Sequence, residues 1–272
     1  MKNVNKKIVF YGGGKMAENI IRGLIKNETM NPDNITVGEM MQARCSYLAD
    51  TYGVTAVTDA SEAIKEADMV LIGVNPPQIP SVTGALKPVL NEDTIVMSFA
   101  CGVAIKVFEN QLGSDKKVVR IVPNTLSQSG YGYSLAHSNG NLDEDDKAFV
   151  DQLLHGLGKV LYMEESKFDS FQGYGCTGPL WIYKFVEAMI DAGIYVGFTR
   201  AEARELILEN MLGTVKILQE TGASPTAKIE ELTSPGGVTI EALRALQENG
   251  SYMRPTIASM EAAVKKCAIV AS

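Results

Sequence analysis

The chain has 272 residues, enough to bury one large core or two ordinary ones. Hydrophobic residues make up 46% and charged residues 21%, a globular balance that excludes a disordered or fibrous chain. The net charge of −7 and pI of about 5.0, with no basic cluster, argue against nucleic acid and against an anionic membrane surface as partners.

The opening stretch "MKNVNKKIVFYGGG" is basic and then apolar, but its apolar part is too short for a signal-peptide core, and no later apolar run is long enough to span a membrane. The cysteines Cys45, Cys101, Cys176 and Cys267 form no Cys-x-x-Cys pair, and neither His137 nor His155 lies near one. No zinc site, other metal site or disulfide framework is expected, and a reducing cytoplasm fits.

The first half alternates. "KKIVFYG" reads as a strand over 7–11, and "KMAENIIRGLIKN" as a helix with Met16, Ile20, Ile21 and Leu24 on one face. "NITVGE" is a strand, "QARCSYLADTYG" a helix ending at Gly53, "VTAVTD" a strand and "ASEAIKEA" a helix. "DMVLIGV" is continuously apolar, as a strand covered on both faces must be, and "TIVMSFA" and "KVVRIVPN" follow as further strands. This order predicts a doubly wound parallel sheet over 1–164. His137 is expected in a polar turn and His155 in a helix, both as surface residues. After the connector "EESKFDSFQGYGCTG", helices are predicted over 179–195, 199–221, 224–231, 238–248 and 253–268, so residues 165–272 form an all-helical domain. So few helices bury little alone, and an exposed apolar face meant for a second copy is expected.

Gly12, Gly14 and Ala17 in "GGGKMA" fit G-x-G-x-x-[GA] between the first strand and the first helix. The first glycine permits the tight turn, the second lets a pyrophosphate reach the backbone, and the third position is small so that helix and strand can pack. The anion then sits on the free N–H groups of the helix. Glu39 ends the second strand, 25 residues after Gly14, where an acid accepts from the ribose hydroxyls and repels a 2′-phosphate. This favours NADH over NADPH, although Arg44 lies close enough in sequence to meet a phosphate. "GVNPPQ", with Asn75 and Pro76, and "SFACGV", with Ala100 and Gly102, follow the fourth and fifth strands and point to the nicotinamide end.

Late in the chain, "TSPGGVTIEAL" sets Ser234, Pro235, Gly236, Gly237 and Thr239 at the mouth of a helix, where bare amides and a partial positive charge suit a carboxylate. Read alone, the stretch is equally a helix capped by Ser234.

In this order the pieces resemble the pyrroline-5-carboxylate reductase family over roughly 6–268. The resemblance rests on "GGGKMAENIIRG", on "RIVPNT" (Arg120 to Thr125), on "GPLWIYKFVEAMIDAG" (Gly178 to Gly193) and, most specifically, on "LTSPGGVTIEALRAL" (Leu232 to Leu246). It implies an amino-terminal Rossmann-like domain followed by a helical dimerisation domain, a homodimer or larger homo-oligomer, and hydride transfer from NADH or NADPH to the C=N bond of a small cyclic imine carboxylate. Substrate roles fall on Ser234, Gly236, Gly237, Thr239 and Thr177, with Thr239 reaching the ring nitrogen. Cofactor roles fall on Gly12, Gly14, Lys15, Met16, Ala17, Glu39, Asn75, Pro76, Ala100 and Gly102. The family's Ser-Gly-Ser-Gly-Pro-Ala-Tyr is here Gly175-Cys176-Thr177-Gly178-Pro179-Leu180-Trp181, its Val-Lys-Pro lysine is Asn75, and the Pro after Pro-Asn-Thr is Leu126. These departures leave room for a different cyclic imine acid, or for a catalytically impaired regulatory protein on the same plan. A β-hydroxyacid dehydrogenase fits less well, because Lys184 is followed one turn later by Ala188 and not by Asn.

Overall fold

The computed structural model describes residues 5–124, 126 and 131–271, and of 253–254 and 267–271 the backbone alone. The chain divides into two compact units, the first made of Met1–Cys176 with Ala263–Ser272 and the second of Thr177–Ala262.

The first unit runs β1 (Ile8–Tyr11), α1 (Lys15–Lys26), β2 (Ile35–Gly38), α2 (Gln42–Tyr52), β3 (Thr55–Val57), α3 (Ser61–Lys65), β4 (Met69–Ile72), α4 (Ile79–Leu86), β5 (Ile95–Ser98), α5 (Ile105–Leu112), β6 (Val118–Pro123), β7 (Tyr133–Ser138), α6 (Glu144–His155), β8 (Lys159–Tyr162) and α7 (Phe168–Phe171). The sheet order is β3-β2-β1-β4-β5-β6-β7-β8. Strands β1 to β6 are parallel, β7 is antiparallel to β6, and β8 is parallel to β7.

Period-two alternation between two covered faces explains why the central strands β1 and β4 are apolar throughout. Ile8, Phe10, Met69 and Leu71 face one core with Ile20, Ile21 and Leu24 of α1, while Val9, Val70 and Ile72 face the other with Leu86 of α4 and Phe108 of α5. Each sheet face thus has its own helical cover, and the central strands are buried on both sides. Helix α2 stops where the sequence says, with Gly53 in the left-handed conformation (φ 70°).

Strands β7 and β8 were not foreseen. "YSLAHS" is too polar to read as a strand alone; it is held by pairing with β6, opposite Ile121 and Val122. His137 accordingly lies in β7 and not in a polar turn, its Nδ1 3.0 Å from the Met163 carbonyl.

The second unit carries α8 (Gly178–Tyr195), α9 (Arg200–Thr221), α10 (Pro225–Leu232) and α11 (Val238–Glu248), and α12 (Met253–Ala271) runs out of it into the first. The boundaries fall within a residue or two of the predicted ones, except that α12 runs to Ala271. Helix α9 opens on a reciprocal cap between Thr199 and Glu202 and closes on left-handed Gly222. Of its side chains only Ala203 and Ile207 are buried, and α8 buries none. Leu180, Tyr183, Val196, Leu206 and Leu212 stand about half exposed or more. No helix among the described residues is long and apolar enough to cross a membrane, and no group of three His, Cys, Asp or Glu among them is disposed to hold a metal.

Candidate active site

The strand order reverses between β1 and β4, and the sequence-selected cofactor residues gather at the carboxyl ends of the strands on either side. Gly12 follows β1, Glu39 follows β2, Asn75 and Pro76 follow β4, and Ala100 and Gly102 follow β5. This is where an open α/β sheet binds its ligand.

Gly12 has φ +105°, and a Cβ there would lie 2.9 Å from the Gly73 carbonyl oxygen across the switch point. Both the conformation and the space demand glycine. Its N–H donates to the Gly38 carbonyl at 2.8 Å, tying the turn to β2. Gly14 differs: a Cβ there would meet nothing within 4 Å, and it begins α1 with no side-chain cap. The first amides of α1, at Lys15 and Met16, therefore keep their donors for an outside anion. Ala17 is buried, as close packing of helix on strand requires. The turn thus fits a pyrophosphate.

Glu39 does more than end its strand. Its Oε2 accepts from the Gly13 N–H at 3.0 Å and its Oε1 from the Met41 N–H at 3.1 Å. On the other side of the same turn residue, Arg44 Nε donates to the Gly13 carbonyl at 2.8 Å, and its Nη2 reaches Glu18 Oε2 at 2.7 Å. Glu18, nearly buried on α1, also accepts from Tyr52 at 2.7 Å and Tyr47 at 3.0 Å. Burial alone would raise its pKa, but the hydrogen bonds from Arg44, Tyr52 and Tyr47, with the Arg44 charge, outweigh burial and bring it to about 2. Sequence proximity suggests a phosphate for Arg44; in the structure it is engaged on the glycine turn. The role of Glu18 is not evident from sequence, although it directly follows Ala17.

The other two loops are shaped by short-range chemistry. Gln78 Oε1 accepts from the Asn75 N–H at 3.1 Å, and Pro76–Gln78 form a 3-10 turn. Ser98 Oγ accepts from the Ala100 N–H at 3.2 Å, and Gly102 is left-handed (φ 72°). Gln172 donates to Cys101 Sγ at 2.7 Å.

Arg120 is buried on β6, where its Nη1 donates to Glu165 Oε1 at 3.0 Å and its guanidinium lies 4.6 Å from the Phe168 ring centroid. It pins the connector to the sheet. Thr125, the last residue of the Arg-x-x-Pro-Asn-Thr segment, lies outside the described residues. Residues Gln172–Cys176 form a π-helical turn whose Gly175 carbonyl accepts from Tyr133 at 2.9 Å. Gly175 of the altered stretch serves packing, because a Cβ there would press on Phe171 and Tyr133, whereas Gly178 faces open space. The T-shaped contact of Tyr133 with Phe171 completes that small core.

In the helical unit, Thr177 precedes α8. Trp181 is half buried, and its indole donates to Ser259 of α12 at 2.9 Å. Lys184 is exposed and pairs with Glu187. The loop before α11 carries two adjacent glycines. Gly236 is left-handed (φ 67°), with nothing within 4 Å of a Cβ. Gly237 starts α11 without a side-chain cap, so Ser234 does not act as one. The Gly237 N–H turns back to the Ser234 carbonyl at 3.0 Å. That leaves the amides of Val238 and Thr239 with no acceptor inside the helix. Thr239 is exposed in the first turn.

A 3-2-1-4-5-6 strand order, a glycine turn at its reversal and a following all-helical unit define a two-part NAD(P)-dependent oxidoreductase. Residues 165–269 match the family model described as pyrroline-5-carboxylate reductase dimerisation, and residues 7–102 match NADP oxidoreductase coenzyme F420-dependent. A pyrroline-5-carboxylate reductase of Corynebacterium melassecola is 33% identical over 246 residues, covering 89% of this chain and 91% of that one. One of Glycine max is 30% identical over 257 residues, covering 94% and 93%. The crystal structure of Plasmodium falciparum pyrroline carboxylate reductase with NADP bound has a TM-score of 0.88 at 25% identity and covers all of both chains. The chain belongs to the pyrroline-5-carboxylate reductase family.

Proposed function

We infer that this chain reduces 1-pyrroline-5-carboxylate to L-proline, the last step of proline synthesis, with a reduced nicotinamide dinucleotide. The observation that carries the reading is the joint presence, in a chain of this family, of an uncapped glycine turn at the sheet reversal and an uncapped glycine loop before α11. Each offers main-chain donors to an anion, the first to a pyrophosphate and the second to a carboxylate.

The division of labour follows the sequence. Residues 1–164 bind the dinucleotide, and residues 165–272 bind the substrate and a second copy of the chain. Gly12, Gly14, Lys15, Met16 and Ala17 hold the pyrophosphate, while Asn75, Pro76, Ala100 and Gly102 border the nicotinamide. Glu39 accepts from the adenosine ribose and disfavours a 2′-phosphate, so NADH is the preferred donor. Ser234, Gly236, Gly237 and Thr177 bind the substrate around its carboxylate. The exposed apolar side chains of α8 and α9 meet their counterparts in a homodimer or larger assembly. Cys45, Cys101 and Cys176 form no disulfide, which fits a cytoplasmic setting.

When bound, the reduced nicotinamide supplies a hydride. What the chain must add is orientation, exclusion of water and a hold on the proton of the ring nitrogen. A cyclic imine is basic enough to carry that proton near neutral pH, and the Thr239 hydroxyl holds it in place. No strong general acid is required, in keeping with the places of His137 and His155, one in β7 and one at the end of α6.

The test is direct. The purified chain with 1-pyrroline-5-carboxylate should consume NADH and form proline in equal amounts, faster than with NADPH. No turnover with either cofactor overturns the assignment, and faster turnover with NADPH overturns the role given to Glu39.

A further inference from the structure

The dinucleotide reading leaves one cluster unexplained. Glu18, Arg22, Arg44, Tyr47 and Tyr52 form a hydrogen-bonded group on α1 and α2, beside the glycine turn and not in it. Surface ion pairs rarely matter, but this one is neither loose nor isolated. The carboxylate is 11% exposed and the guanidinium 25%, and two of the three Arg44 nitrogens are engaged. The cation also lies 4.9 Å from the Tyr47 ring centroid.

The cluster ends on Gly13, whose N–H is held by Glu39 and whose carbonyl is held by Arg44. Two charges, Glu39 and Arg44, therefore meet on one peptide residue at the centre of the turn, and Glu18 holds the second of them. An arginine just past the second strand is the side chain that suits a 2′-phosphate, because its planar fork matches phosphate oxygens. Here a second acid from another helix has claimed it.

We propose that Glu18 is a specificity-determining positioning residue. By holding the Arg44 guanidinium on the Gly13 carbonyl, it leaves the Glu39 carboxylate, held by the Gly13 and Met41 N–H groups, to face the ribose without that cation, and so sets the site against 2′-phosphorylated dinucleotides. Glu18 touches no ligand; its Oε1 also accepts from Arg22 of α1 at 3.3 Å, but its effect on the cofactor runs through Arg44. Its hold persists at every working pH, because the carboxyl stays ionised down to about pH 2. The inference rests on the dinucleotide reading of the turn and adds to it a means of choosing between two cofactors.

Binding of cofactor fragments tests it without turnover. ADP-ribose and 2′-phospho-ADP-ribose are titrated calorimetrically into the full chain. The wild type should bind the unphosphorylated ligand more tightly. Glu18→Gln keeps shape but frees Arg44, and should raise the relative affinity for the phosphorylated ligand by about five- to tenfold, the size expected of one partly buried ion pair. Adding Arg44→Met should erase that gain. A folded Glu18→Gln protein with the wild-type ratio overturns the proposal, as does a gain that survives Arg44→Met. If Glu18→Gln does not fold, Glu18→Asp draws the carboxylate back by one methylene and should shift the ratio the same way by less; an unchanged ratio there also overturns it. Wild-type chain that binds neither ligand sinks the dinucleotide reading itself, whereas a fixed ratio sinks only the role of Glu18.

Discussion

The two glycine loops proposed to bind anions are built in opposite ways. The Gly12–Ala17 turn is braced: a neighbouring strand holds the Gly12 N–H, Glu39 and Arg44 hold the two ends of Gly13, and α1 packs down through Ala17. The Ser234–Thr239 loop is braced only from within, by Ser234, whose hydroxyl fills the space a Cβ on Gly237 would need. Gly236 has open space around it, no side chain caps α11, and Thr239 is exposed. Both offer uncapped amides, but only the first is pre-shaped by side chains from outside the loop. A dinucleotide site can be rigid before its ligand arrives. A substrate loop must admit a small ring and release its product, and bare backbone costs little to rearrange.

The largest expected effect is at Gly12. Gly12→Val forces a β-branched residue to φ +105° and drives its Cβ toward the Gly73 carbonyl. It should cost about 2–3 kcal/mol of stability and abolish dinucleotide binding, read by denaturant titration and calorimetry. Next comes Thr239→Ala, which should slow turnover about 10–100-fold while leaving dinucleotide affinity unchanged. A matching loss in both would erase the contrast between the loops. Gly14→Ala sharpens it from the other side. Its Cβ meets nothing, so stability should stay within about 0.5 kcal/mol, yet the methyl stands where the pyrophosphate must approach and affinity should fall about tenfold.

These residues were not equally legible. The glycine turn could be read because its conformation is written in residue type and spacing, and α8 to α11 could be read because their caps and periods are local. The brace could not, since Glu18, Arg44, Tyr47 and Tyr52 come from two helices and meet only when those helices pack. Strands β7 and β8 were missed for the same reason: "YSLAHS" becomes a strand by pairing with β6. The part Thr239 plays rests on family resemblance, because an exposed threonine in a first helical turn has no chemistry of its own to declare.

Acid should weaken the braced region. The Glu18 carboxyl is lowered from 4.5 to about 2 in the folded chain. A lowered acid contributes stability in full above its unfolded value, and that contribution is lost as pH falls from about 4.5 through about 2. Melting temperature should therefore drop across that window, and Glu18→Gln should flatten the drop. The smallest effect is expected at Lys184, exposed and paired only with Glu187. Lys184→Ala should leave melting temperature and turnover at their wild-type values.

The Ser234–Thr239 loop is tested most directly by a crystal structure of the chain with proline and oxidised nicotinamide dinucleotide. The product carboxylate should lie within hydrogen-bonding distance of the main-chain amides at the start of α11, with its ring nitrogen near the Thr239 hydroxyl. Proline bound elsewhere, with those amides facing only water, would contradict the account.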